Sequence, residues 1–137
     1  MMVDPETTVL IADDDVSFAT FARTALAGIG ATAQTVGDGD ACLEAVRASQ
    51  PDAILLDLFM PGIDGLEVLR RVRAAPALLE TICIALSANA MAEDMARARI
   101  AGFADYWTKP IAFEHFLAQL DALIERRHPT QRARRAH

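Results

Sequence analysis

Three uninterrupted apolar runs limit what this chain can fold into more than any other feature: residues 9–12, 53–56 and 82–86. None alternates apolar with polar residues, so none reads as a strand with one face in water. Runs of this kind fit strands covered on both faces, as in a parallel sheet, and they are too short for ordinary helices. Segments of a different period lie between and after them. Phe18, Phe21, Ala22, Ala25, Leu26 and Ile29 recur at three- and four-residue steps, as do Phe113, Phe116, Leu117, Leu120 and Ile124 in the last helical stretch, 112–127. Both patterns describe amphipathic helices.

The rest of the chain fills in the alternation. Residues 31–36 read as a weaker second strand. Asp38-Gly39-Asp40 opens a helix with Cys42, Ala45 and Val46 on one face, which ends at Gln50-Pro51. After a turn over 60–65, a third helix runs from Leu66 to Arg73, with Leu66, Leu69 and Val72 expected inward and Arg70, Arg71 and Arg73 outward. A fourth, Met91 to Ile100, is alanine-rich and only weakly amphipathic, and is expected to be the least firmly docked. Gly102 stops it, and 105–108 form a short fifth strand. Strands alternating with helices through short connections specify an α/β domain: a parallel sheet with right-handed crossovers and helices on both faces.

Composition bounds the reading. The chain has 137 residues, 53% of them hydrophobic, which suits one domain with a full core. The expected organisation is an arm at 1–7, a folded domain at 8–127 and a basic tail or linker stump at 128–137. The net charge of −6 includes Arg126, Arg127, Arg132, Arg134 and Arg135 near the end, so the body is more acidic than the total implies. An acidic body argues against direct nucleic-acid binding. Cys42 and Cys83 form no CxxC pair and read as buried reduced thiols. The start lacks the basic and apolar parts of a leader, and no run reaches membrane-spanning length, so a cytoplasmic protein is expected.

The strand ends carry the chemistry. The first strand ends at Asp13-Asp14-Asp15, the third at Asp57, the fourth at Ser87 and the fifth at Lys109. Each has an ordinary explanation alone: a helix cap, a turn acid, a turn hydroxyl, a surface amine. Asp15 suits the cap, because a helical pattern begins directly after it. In a parallel sheet, however, all strand carboxyl ends lie along one edge, so Asp13, Asp14, Asp57, Ser87 and Lys109 converge there. Three carboxylates around one ammonium repel one another and call for a hard divalent cation, Mg²⁺ or Mn²⁺. Mg²⁺ favours phosphate as a further ligand, and phosphoryl transfer asks chiefly for positioning and charge neutralisation. A carboxylate can accept the group as an acyl phosphate. Asp57, on the central strand, is the expected acceptor.

These residues are the ones by which the chain resembles the receiver domain of two-component response regulators. The resemblance covers about residues 8–125 and rests on Leu-Ile-Ala-Asp-Asp-Asp, Leu-Leu-Asp-Leu-Phe-Met-Pro-Gly-Ile-Asp-Gly, Ala-Leu-Ser-Ala and Tyr-Trp-Thr-Lys-Pro-Ile. It implies a flavodoxin-like, doubly wound sheet of five parallel strands in the order 2-1-3-4-5 with five helices. It also implies a regulatory phosphoacceptor rather than an enzyme, serving a phosphorelay. Asp57 would take a phosphoryl group from a phosphohistidine on a sensor histidine kinase or a histidine phosphotransfer protein. Asp14, Asp57 and the backbone carbonyl of Phe59 would bind Mg²⁺ directly, and Asp13 through water. Lys109 would pair with a phosphoryl oxygen and the Ser87 hydroxyl would move to bond another. Tyr106 would turn inward with it, although as a strand aromatic alone it reads as half-buried with its hydroxyl in water. The output surface for a downstream protein would be the fourth helix, fifth strand and fifth helix. Phe59 and Asn89 flank the acceptor and would modulate the access of attacking water. The stretch from Ser87 to Pro110 is most similar to receivers of hybrid histidine kinases.

Three rivals have less support in the residues. An aspartyl-nucleophile hydrolase would, by resemblance to known families, usually carry a second acid two residues after the nucleophile, where this chain has Phe59. A P-loop nucleotide binder would need a Gly-x-x-x-x-Gly-Lys-Ser/Thr motif, and none occurs. A receiver-like interaction module acting without phosphorylation is the alternative that the full acceptor set argues against.

Overall fold

The computed structural model describes residues 7–89 and 91–127, with the side chains of Phe113 and 123–127 left aside. The expected arm and tail therefore lie outside the described residues, apart from Thr7. The alternation runs β1 (Thr8–Ala12), α1 (Val16–Gly28), β2 (Thr32–Val36), α2 (Gly39–Ser49), β3 (Ala53–Asp57), α3 (Gly65–Arg73), β4 (Ile82–Ser87), α4 (Ala92–Ala101), β5 (Asp105–Thr108) and α5 (Phe113–Arg127), with a single 3₁₀ turn at Pro76–Leu78 among the described residues. The strands form one sheet in the order β2-β1-β3-β4-β5. Every pairing is parallel.

The unbroken apolar runs are explained by two cores. Successive side chains of a strand point to opposite faces, so a strand covered on both sides needs apolar residues at every position. Val9, Ile11, Leu55, Ile84 and Leu86 face Ala22 and Leu26 of α1 and Phe116 and Leu120 of α5. Their neighbours Leu10, Ile54, Leu56, Cys83 and Ala85 face Cys42 and Val46 of α2, Val68, Leu69 and Val72 of α3, and Ala98 of α4. The edge strand β2 has no fully buried position, which is why its sequence reads weakly. Cys42 and Cys83 are buried thiols, as expected. Burial, with Cys83 and Asp38 adding to it, pushes the Cys42 thiol up to about 12.

Three aspartates start three helices. Asp15 Oδ1 accepts from Ser17 N at 3.0 Å and Phe18 N at 3.3 Å, Asp38 Oδ1 from Ala41 N at 2.8 Å, and Asp64 Oδ1 from Glu67 N at 2.9 Å. Each satisfies amides that a first helical turn leaves unpaired.

Several expectations need correction. Leu66 does not face the core: it is 37% exposed, and Val68 joins Leu69 and Val72 inside instead. Arg73 is not a free outward cation, because its guanidinium donates to the carbonyls of Leu78 at 3.0 Å and Thr81 at 2.7 Å, tying down the connection into β4. Arg70 and Arg71 do lie outward, both paired with Glu67. The fourth helix starts one residue later than expected, with Met91 as its cap and Ala98 as its buried residue. The side chains of Phe113 and Ile124, expected inward, lie outside the described set.

Candidate functional site

The register of the sheet assembles the site. Ala12 pairs with Leu56, so the next residues, Asp13 and Asp57, leave the sheet at the same level. Asp57 pairs with Leu86, and Ser87 with Thr108. The ladders continue beyond the strand ends: Asp13 N donates to Val36 O at 3.0 Å, Leu58 N to Leu86 O at 3.1 Å, and Lys109 N to Ser87 O at 2.8 Å. Backbone hydrogen bonds, rather than loop contacts, therefore fix where these side chains begin.

The carboxylates meet as expected. Asp13, Asp14 and Asp57 each offer an oxygen, and the three lie within 4.8 Å of one another. Asp13 is 3% exposed and Asp57 is buried, whereas Asp14 faces solvent. Asp13 Oδ1 accepts from Asp15 N at 2.8 Å, and Asp57 Oδ1 from Phe59 N at 3.0 Å. Lys109 Nζ sits 2.5 Å from Asp13 Oδ2 and 3.5 Å from Asp57 Oδ2. On another side it lies 5.0 Å from the centroid of the Phe18 ring.

Charge follows from this crowding. Burial raises the pKa of Asp13, and the Asp57 charge adds to the rise, although Lys109 and the Asp15 amide oppose it. Burial works against the charged form of Lys109, but the Asp13 hydrogen bond and the charges of Asp13, Asp57 and Asp15 outweigh it and push its pKa up. The pocket thus keeps a firmly charged ammonium beside carboxylates that repel one another.

The residues fit a small hard cation. The three carboxylate oxygens lie within 4.8 Å of one another, near enough to gather round one ion, and Mg²⁺ takes oxygen ligands at about 2.0–2.1 Å. Asp13 Oδ2 is buried, with the Lys109 ammonium as its charged neighbour. All three donors are carboxylate oxygens, the type that Mg²⁺ and Mn²⁺ favour.

Ser87, Asn89 and Tyr106 form a second group beside the first. Ser87 Oγ accepts from Asn89 N at 3.0 Å, which leaves its own O–H to donate. Tyr106 is buried, not half-buried with its hydroxyl in water, and that hydroxyl donates to Asn89 O at 2.6 Å. The ring fills space against the α3 and α4 side of the sheet, and the short bond satisfies its polar end. The Asn89 amide is engaged with α4: Nδ2 donates to Asp94 Oδ2 at 2.8 Å and Oδ1 accepts from Met91 N at 3.2 Å. Phe59 leaves its side chain 68% exposed at the mouth of a groove that Leu66, Asp94 and Arg97 also line. Neither Asp94 nor the contact between Phe18 and Lys109 is visible in the sequence, because both depend on which way a helix turns one residue.

The chain is thus a doubly wound α/β domain with an acidic cluster and a lysine at the carboxyl edge of its sheet. The model of the response regulator receiver domain matches residues 9–121, and the chain belongs to that family. Among curated proteins, response regulator MprA of Mycobacterium ulcerans (strain Agy99) is 36% identical over 118 residues, 86% of this chain and 50% of that one. The chain spans about half the length of the curated relatives it matches. Among solved structures, the receiver domain of Francisella response regulator 1452 is 30% identical, with a TM-score of 0.81, covering 88% of this chain and 98% of that one. Chemotaxis response regulator CheY4 of Vibrio cholerae, at 24% identity and a TM-score of 0.81 over 86% of this chain and 98% of its own, shares the fold. The expected strand order and fold class are those observed. Among the described residues no helix is long and apolar enough to cross a membrane.

Proposed function

We propose that the chain is a working phosphoacceptor, in which Asp57 takes a phosphoryl group from a phosphohistidine on a sensor histidine kinase or a histidine phosphotransfer protein. The observation that carries this is the position of Lys109 Nζ, held between Asp13 and Asp57 at the carboxyl edge of the sheet. An Asp57 carboxylate oxygen attacks phosphorus. The P–N bond to the donor imidazole breaks, its electron pair stays on nitrogen, and the products are an aspartyl phosphate and an unmodified histidine. Lys109 meets the charge that builds on the phosphoryl oxygens, and Ser87 has an O–H with which to bond another. Asp14, Asp57 and the Phe59 carbonyl would hold Mg²⁺, with Asp13 through water. When bound, the ion would supply further charge neutralisation.

The switch runs through Ser87 and Tyr106. In this structure both engage Asn89, Ser87 through its amide and Tyr106 through its carbonyl, so a Ser87 hydroxyl drawn toward Asp57 would pull on the segment that holds Tyr106 and the start of α4. The face made by α4, β5 and α5 is the surface for a downstream protein partner. Its work is regulatory, in the cytoplasm, without direct nucleic-acid contact by this domain.

Intact mass separates this reading from an interaction module that is never phosphorylated. Wild type incubated with Mg²⁺ and acetyl phosphate is expected to gain one phosphoryl group, and Asp57→Asn none. Wild type that stays unmodified with a competent donor rejects the proposal.

A further inference from the structure

We infer that Phe18 is a positioning residue for Lys109, its ring face holding the ammonium at the rim of the acidic pocket within reach of Asp57. This deepens the phosphoacceptor reading and rests on it. The 5.0 Å from Nζ to the ring centroid lies inside the roughly 6 Å within which an aromatic face attracts a cation. The same nitrogen touches Asp13 at 2.5 Å and Asp57 at 3.5 Å. Two carboxylates and one ring thus surround an ammonium whose side chain is 18% exposed.

Lysine is a compact charge on a flexible stem, and water competes for it. Here both ends of the residue are fixed. Its backbone N–H is bonded to Ser87 O at 2.8 Å, and its head rests on the first turn of α1. Phe18 is itself braced: its ring lies 6.1 Å from that of Phe21, which lies 6.1 Å from Phe116, which lies 5.7 Å from Trp107 on β5. The row returns to the strand that leads into Lys109, so the ring and the amine are held by one packed unit. Asp13 is the nearer carboxylate, and any ligand that draws on its charge weakens that anchor. An uncharged ring attracts the ammonium without competing as an acid, so it keeps Lys109 in place while leaving it available to Asp57.

The test compares Phe18→Leu, which keeps apolar bulk and removes the ring, with Phe18→Trp, which offers a stronger face. With Mg²⁺ and acetyl phosphate, Phe18→Leu is expected to be phosphorylated roughly three- to tenfold more slowly, and Phe18→Trp at least as fast as wild type. A purely packing role would not be restored by the larger ring. In the unphosphorylated, metal-free protein, the Lys109 ε-methylene protons should show an upfield ring-current shift by NMR that Phe18→Leu abolishes and Phe18→Trp keeps. Lys109 protons at ordinary shifts in wild type, or a folded Phe18→Leu with an unchanged rate, overturn the inference. A wild type that takes up no phosphoryl group, while its Lys109 shift is present, instead removes the phosphoacceptor reading and with it the role, leaving the contact itself established.

Discussion

Phe59 divides its work between backbone and side chain. Its amide is fixed to Asp57 Oδ1 at 3.0 Å, while the residue is 68% exposed and lines a groove with Leu66, Asp94 and Arg97. On the proposed phosphoacceptor role, a bulky apolar group two residues after Asp57 would narrow the approach of water to an aspartyl phosphate, so Phe59→Ala is expected to lose the phosphoryl group a few-fold faster. Following the decay of the phosphorylated mass after the donor is removed checks this, and an unchanged half-life rejects it. Tyr106 gives a stability counterpart. Removing its hydroxyl leaves the Asn89 carbonyl short of a donor, and Tyr106→Phe should cost roughly 1 kcal/mol in chemical denaturation. At this scale legibility depends on how a side chain is aimed. Asp13, Asp57, Ser87 and Lys109 could be found because strand ends fix their starting points. The burial of Tyr106 and the meeting of Phe18 with Lys109 could not, because rotamers and contacts between distant elements leave no periodic mark in a sequence.

Among the elements, α3 and α4 differ most in how they are held. Four residues of α3 are buried, namely Gly65, Val68, Leu69 and Val72, whereas α4 buries Ala98. Amide hydrogen exchange is therefore expected to be faster through α4 than through α3, and equal protection would contradict it. The weak amphipathicity of α4 was legible as weak docking. Leu66 was misplaced because a leucine in a first turn fits the helical period whether the turn faces the sheet or the mouth of a groove. Close backbone approach is equally silent in sequence. A Cβ added at Gly65 would lie 2.8 Å from Leu58 Cα and 2.9 Å from Leu58 Cδ2, while one at Gly28 would meet nothing within 4 Å. Gly65→Ala should thus lose about 1–3 kcal/mol of stability, and Gly28→Ala should gain a few tenths to about 1 kcal/mol. Chemical denaturation of the two variants gives the comparison.

For the whole molecule, the acidic pocket is a place where folding gathers like charges. A cation that binds only the folded chain stabilises it, by about 2.7 kcal/mol at a hundred times its Kd. Mg²⁺ is expected to raise the Tm of wild type, with most of the rise lost in Asp14→Asn, and calorimetry with and without a chelator checks it. The fold as a whole was legible because unbroken apolar runs demand a sheet covered on both faces, and that demand fixes where every strand ends.

Trp107 is the single tryptophan of the sequence, buried on β5 with its ring 5.7 Å from Phe116 and 6.2 Å from His115, and its indole N–H donating to Asp105 at 3.0 Å. The molecule therefore contains a natural fluorophore two positions before Lys109, sensitive to any repacking of α5 against the sheet. Its emission offers a label-free optical signal for following events at the pocket in real time.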